Sequence, residues 1–75
     1  MVSKLSGKKL REKRKEREFT QEQLAEHSGI SDRHLRNLET ETVEPSASVL
    51  YQISRALDTP MDEFMVILDE ERQET

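Results

Sequence analysis

The apolar residues of this chain fall into five short groups, each spaced for a helix and none alternating as a strand would. The first predicted helix runs from Ser6 or Gly7 to Arg17, with Leu10 as its one strong anchor and Phe19 packing just after it. Lys13 stands where an apolar side chain is expected, so its stem is read as snorkelling. Arg14, one turn after Leu10, is then directed inward, and an inward guanidinium needs a carboxylate partner. The second helix opens at Thr20, which forms a capping box with Gln23. It buries Leu24 and Ala25 and ends at Ser28-Gly29, where glycine can take positive φ. Ile30 plugs the junction. Ser31 caps the third helix, Asp32 suits its positive N-terminus, and Leu35 and Leu38 face inward. Thr40 to Pro45 is a loop. Ser46 or Ser48 caps the fourth helix, where Val49, Leu50, Ile53, Ala56 and Leu57 make one stripe and Tyr51 falls opposite. Thr59-Pro60 predicts a fifth helix with Thr at the N-cap, Pro at the first helical position and Asp62 in the first turn. Met61, Phe64, Met65 and Leu68 share its narrow apolar face, and Val66 and Ile67 lie off that face. Gly7 and Pro45 read as breakers outside the helices, Gly29 and Pro60 as a turn and a helix start. Asp69 to Thr75 reads as a fraying acidic end.

The expectation is therefore an all-α fold of five helices in one domain over residues 1–75, with its core at about 6–68. Composition sets limits on its chemistry. Hydrophobic residues are 32% and charged residues 37%, which leaves a small core under a wide solvated surface. There is no cysteine, so disulfides and cysteine zinc sites are excluded, and a reducing cytoplasm is the expected location. The longest apolar run, Met65 to Leu68, is far too short to span a bilayer, and no apolar stretch follows the first lysines as in a secretory signal. His27 and His34 fall on different helices, so no metal is expected. Two glycines allow no phosphate-cradling loop, and no cofactor, small-molecule ligand or catalytic pocket is implied.

Charge changes the picture more. The net charge is −4, yet residues 1–38 hold ten Lys/Arg against six Asp/Glu, and residues 39–75 hold two against ten. A +4 half and a −8 half suit a domain that turns one face to a polyanion. The third helix lies in the basic half. It places Asp32, Arg33, His34, Arg36 and Asn37 on its solvent side, an inventory suited to base edges: Arg for guanine, Asn for adenine, Asp for cytosine. Gln21 opens the second helix, where its amide and the free backbone N–H groups suit a phosphate.

These residues resemble the lambda-repressor/Cro-type, or XRE, helix-turn-helix family. The resemblance rests on Leu10-Arg11-Glu12-Lys13-Arg14, Phe19-Thr20-Gln21-Glu22-Gln23-Leu24-Ala25, Gly29-Ile30-Ser31, Leu35-Arg36-Asn37-Leu38-Glu39, Pro45-Ser46, and Leu57 with Met61-Asp62-Glu63-Phe64. It spans Leu10 to Met65. The resemblance implies a five-helix lambda-repressor-like fold, binding to double-stranded DNA, no enzymatic activity, and a symmetric dimer on an operator. It implies base-facing roles for Asp32, Arg33 and Asn37, and backbone contacts for Gln21, His34 and Arg36. It implies a largely buried salt bridge between Arg14 and Glu39. Glu18 stands where the family often has glycine before Phe19. After Glu39, where the family commonly has glycine and basic residues meeting phosphate, the loop here carries Glu41 and Glu44, whose carboxylates would repel phosphate.

Val66 and Ile67 supply more apolar surface than one small core needs, so the fifth helix is expected to form a weak homodimer interface, with Tyr51 as a possible addition. The function expected is a sequence-specific transcriptional regulator, a repressor on a palindromic operator. Two alternatives stand beside it: a protein-interaction module such as an antitoxin, and the DNA-binding fragment of a larger sensor.

Overall fold

The computed structural model describes residues 2–68. The elements are strand β1 (Val2–Leu5), helices α1 (Gly7–Glu16), α2 (Gln21–Ser28), α3 (Asp32–Glu39) and α4 (Ala47–Leu57), a single 3-10 turn (Met61–Glu63) and strand β2 (Met65–Leu68).

Each α-helix starts at a side-chain cap. Ser6, Thr20, Ser31 and Ser46 accept the N–H three residues on, from Lys9, Gln23, His34 and Val49. At Thr20 the box is reciprocal, because the Gln23 side chain also accepts the Thr20 N–H. Gly29 closes α2 at φ 73, in the left-handed region that glycine enters without penalty. Three acidic residues take the same kind of conformation: Glu18 at φ 61, Glu41 at φ 61 and Asp58 at φ 50. Glu18 thus holds, in the α1–α2 turn, a backbone shape that favours the glycine it replaces.

One core joins the elements. Leu10, Leu24, Leu35, Leu38, Ile53, Leu57 and Phe64 are fully buried, with Leu5 and Ala25 at its edge. Phe19, Ile30, Val49, Leu50, Ala56 and Met65 pack against it half-buried.

The five-helix expectation fails at its last element. Among the described residues there are four α-helices, and the segment expected to be the fifth is a 3-10 turn followed by a strand. Thr59 does not cap it. Its hydroxyl donates back to the Leu57 carbonyl at 2.9 Å, and its own carbonyl accepts from Ser54 Oγ at 2.7 Å, so Thr59 finishes α4. Pro60 stays extended at ψ 145 and offers no side-chain cap. Beyond Phe64 the run Met65-Val66-Ile67-Leu68 pairs antiparallel with Val2–Leu5, in the register Leu5↔Met65 and Lys4↔Val66. β-Branched Val and Ile fit a paired strand better than a helix that would expose them. Val66 is half-buried there, and Ile67 belongs to the strand backbone rather than to a helical face. The expected fraying of Asp69 to Thr75 lies outside the described residues.

Gly7 begins α1, as the expected start at Ser6 or Gly7 allows, and so does not stand outside the helices as a breaker; it is buried. A Cβ at this position would sit on the Glu39 carbonyl. Glycine therefore lets the N-terminus of α1 abut the C-terminus of α3, positive helix end to negative.

Candidate nucleic-acid interface

α2 and α3 form a unit joined by Gly29, Ile30 and Ser31. The Ile30 N–H bonds back to the Ala25 carbonyl at 3.0 Å, and Ile30 packs on the core. Leu35 and Leu38 are fully buried, which fixes the rotation of α3 about its axis. Arg33 and Arg36 are consequently exposed, and Asp32, His34 and Asn37 half-exposed.

The base of the unit is an ionic and hydrogen-bonded knot. Arg14 Nε donates to Glu39 Oε2 at 2.6 Å and Nη2 to Oε1 at 3.3 Å. The third branch, Nη1, donates to the Phe19 carbonyl at 3.0 Å. The Arg14 side chain is 9% exposed and that of Glu39 3%, so each charge depends on the other. Gln21 Nε2 donates to Glu39 Oε1 at 3.0 Å. One carboxylate at the end of α3 thus holds the α1 guanidinium and the first side chain of α2.

The residues expected at the DNA face do not all stand alike. Asp32 and Arg36, one turn apart, form an ion pair at 2.8 Å. The second Asp32 oxygen, Oδ1, is buried without a hydrogen bond among the described residues. Among the described residues the Arg33, His34 and Asn37 side chains make no hydrogen bond. Arg33 and Asn37 are spaced i, i+4 on one face of α3. At the start of α2 the capping box uses the N–H groups of Thr20 and Gln23 and leaves those of Gln21 and Glu22 pointing out of the helix end.

The loop after α3 is tied down by Thr40 and Thr42, which carry no signal in the sequence, and by Glu41, expected there only as a charge repelling phosphate. The Asn37 carbonyl accepts the Thr42 N–H at 2.9 Å. The Thr42 hydroxyl donates to the same oxygen at 3.2 Å, and the Thr40 hydroxyl is shared between that oxygen at 3.2 Å and the Arg36 carbonyl at 3.1 Å. Glu41 Oε2 accepts the Gly7 N–H at 2.8 Å, and Oε1 lies 3.3 Å from Lys4 Nζ. The Gly7 N–H, then the Lys4 ammonium, hold the Glu41 carboxyl below the usual carboxylate range. A contact spanning 34 residues leaves no local trace in a sequence. Lys13, expected to snorkel, reaches Glu63 at 3.0 Å, and that bond, followed by the charge of Glu16, raises its pKa.

No helix among the described residues is long and apolar enough to cross a membrane. Comparison with known proteins agrees with the geometry. A family described as Helix-turn-helix matches residues 10–64. A protein of Methanothermobacter thermautotrophicus, described as an uncharacterized HTH-type transcriptional regulator, is 40% identical over 62 residues, covering 83% of this chain and 90% of that protein. Among solved structures, the restriction-modification controller protein C.AhdI from Aeromonas hydrophila is similar with a TM-score of 0.75 and 29% identity, over 77% of this chain and 88% of its own. The N-terminal DNA-binding domain of the master biofilm-regulator SinR from Bacillus subtilis is similar with a TM-score of 0.68 and 26% identity, over 80% of this chain and 88% of its own. The match over residues 10–64, the 40% identical regulator and the capped α2–turn–α3 unit lead to one conclusion: the chain belongs to the XRE, or lambda-repressor/Cro-type, helix-turn-helix family of non-enzymatic transcription regulators.

Proposed function

We propose that this protein is a cytoplasmic repressor that binds a palindromic operator in double-stranded DNA as a weak homodimer, with α3 in the major groove. The observation that carries the reading is the pair Arg33 and Asn37. Both side chains lie one turn apart on the outer face of α3 without a hydrogen bond among the described residues. Side chains at this spacing reach neighbouring base pairs, Arg33 bidentate to a guanine and Asn37 bidentate to an adenine. Asp32 joins them by accepting from a cytosine amino group once Arg36 leaves it for a phosphate. His34 and Arg36 flank the bases and meet the backbone. Gln21 keeps one amide N–H on Glu39 and offers the other to a phosphate, alongside the free N–H groups of Gln21 and Glu22. The named DNA-binding domain of SinR supports the same use of the fold.

A single short helix reads too few bases for an operator. Two copies with their recognition helices one DNA turn apart, about 34 Å, read enough. We assign the weak contact between copies to Val66 and Ile67 on β2. Repression follows from occupancy of the promoter by the dimer.

Selection from a random duplex library tests the reading. The wild-type protein should enrich a palindrome, and Arg33→Ala and Asn37→Ala should each relax it at one defined position per half-site. The loss per contact is about 1–3 kcal/mol. Affinity should fall steeply with salt. No enrichment at low salt would refute the proposal.

A further inference from the structure

By charge alone, Glu41 and Glu44 should both hinder the approach of α3 to DNA. Their surroundings separate them. Glu44 is exposed and has no ion pair among the described residues. Glu41 is engaged twice, through Oε2 with the Gly7 N–H at 2.8 Å and through Oε1 with Lys4 at 3.3 Å. Its backbone sits at φ 61, a region that side chains with a Cβ rarely adopt, so the turn takes this shape against local preference. On either side of it, Thr42 grips the Asn37 carbonyl with its hydroxyl and its N–H, and the Thr40 hydroxyl is shared between the Arg36 and Asn37 carbonyls. Glu41 is therefore the pin of a three-residue clasp. One end of the clasp is the N-terminus of α1, and the other is the last turn of the recognition helix. Gly7 completes it, because only glycine lets α1 come close enough to the Glu39 carbonyl for the carboxylate to reach.

We infer that Glu41 is a positioning residue for the DNA-reading surface: it fastens the Thr40–Thr42 turn to α1, fixes the last turn of α3 and so aims Asn37, supporting DNA binding where Glu44 opposes it. The inference rests on the reading of α3 as the groove-entering helix. It reverses the sign expected from charge. Removing a carboxylate near DNA should help binding at Glu44 and harm it at Glu41.

The test uses the full chain and a labelled duplex enriched by the wild-type protein, at low salt and at a temperature where circular dichroism shows each variant folded. Glu44→Gln should tighten binding about twofold, the effect of one screened charge near phosphate. Glu41→Ala should weaken it about fivefold, the equivalent of one lost hydrogen bond. Glu41→Gln, whose amide oxygen can still accept from Gly7, should lie between Glu41→Ala and wild type. A second readout separates positioning from general support of the fold. Glu41→Ala should relax selection at the same base pair that Asn37→Ala relaxes, and Glu44→Gln should not. Tightening by Glu41→Ala and Glu41→Gln equal to that by Glu44→Gln would overturn the inference, as would weaker binding with unrelaxed selection. Should Glu41→Ala fail to fold, Glu41→Gln decides: tightening equal to that by Glu44→Gln overturns the inference, and affinity at or below wild type supports it. A wild-type protein that enriches no duplex removes the parent reading as well, whereas a wild type that binds with Glu41 variants behaving like Glu44→Gln removes this inference alone.

Discussion

Two threonines show how differently two parts of this molecule arise from its sequence. Thr20 and Thr59 each precede residues that suit a helix start. Thr20 accepts the Gln23 N–H at 3.1 Å and opens α2. Thr59 turns the other way, donating to the Leu57 carbonyl at 2.9 Å and closing α4. The residues downstream of each threonine account for the difference. After Thr20, Gln23 reciprocates the cap, and only Leu24 and Ala25 need burial on that helix besides Ser28. After Thr59, the chain reaches four consecutive apolar residues, Met65 to Leu68, which no one-sided helix can cover. Pairing with β1 is the alternative, and that partner lies at the opposite end of the chain. A cap is a permission to start a helix. The pattern behind it decides whether the helix forms.

The sharpest break between the two regions comes from Arg14→Ala. Here local pattern was enough, since Leu10 set the phase of α1 and turned Arg14 inward. The substitution leaves Glu39, 3% exposed, with Gln21 as its one remaining side-chain donor among the described residues. Loss of one partner of a buried pair costs about 3–5 kcal/mol. Urea denaturation measures it, and an unchanged midpoint would show that the pair contributes nothing net.

Leu5→Ala probes the other region, at a somewhat smaller cost. Leu5 is 5% exposed at the inner end of β1 and pairs with Met65. In the five-helix reading Leu5 precedes the core, and its truncation would leave stability unchanged. In the observed fold it should cost about 2–4 kcal/mol, within the range for large-to-small core changes. Thermal or urea unfolding distinguishes the two readings directly.

The α2–turn–α3 unit was legible because each of its signals is local. Ser31 caps three residues ahead, Gly29 supplies positive φ, and Leu35 and Leu38 set which side faces out. The inward Arg14 was legible too, from the phase of a helix with one apolar anchor, and the family resemblance supplied Glu39 as its partner. What escaped was set across the chain. The β1–β2 pairing, the approach of Gly7 to Glu39, and the bond from Glu41 to Gly7 depend on residues that share no local pattern. Gly7 was visible as a glycine, but its reason was a neighbour 32 positions on. Glu18 was visible as a departure from glycine and Glu41 as a carboxylate in a loop expected to meet phosphate, and both hold a left-handed backbone that favours glycine.

The smallest effect belongs to the contact that links the two regions. Glu41, in the loop after α3, is held by Gly7 of α1 and Lys4 of β1, and both partners favour its charged form. Its folded pKa is lowered from an ordinary value of 4.5. The unfolded chain therefore takes up this proton at higher pH than the folded chain does. The clasp contributes its full stability above the unfolded value and loses it progressively as pH falls through the folded one. Glu41→Gln cannot titrate, so the stability gap between wild type and variant should be open at neutral pH and close on acidification below that range. The gap should also shrink with added salt at neutral pH, since the Lys4 pair is exposed. Urea midpoints for the two proteins across that pH series measure it. A gap independent of pH would mean that the carboxylate is not held by Gly7 and Lys4, and that the Thr40–Thr42 turn is fastened to α3, through the Leu38 and Asn37 carbonyls, and not to α1.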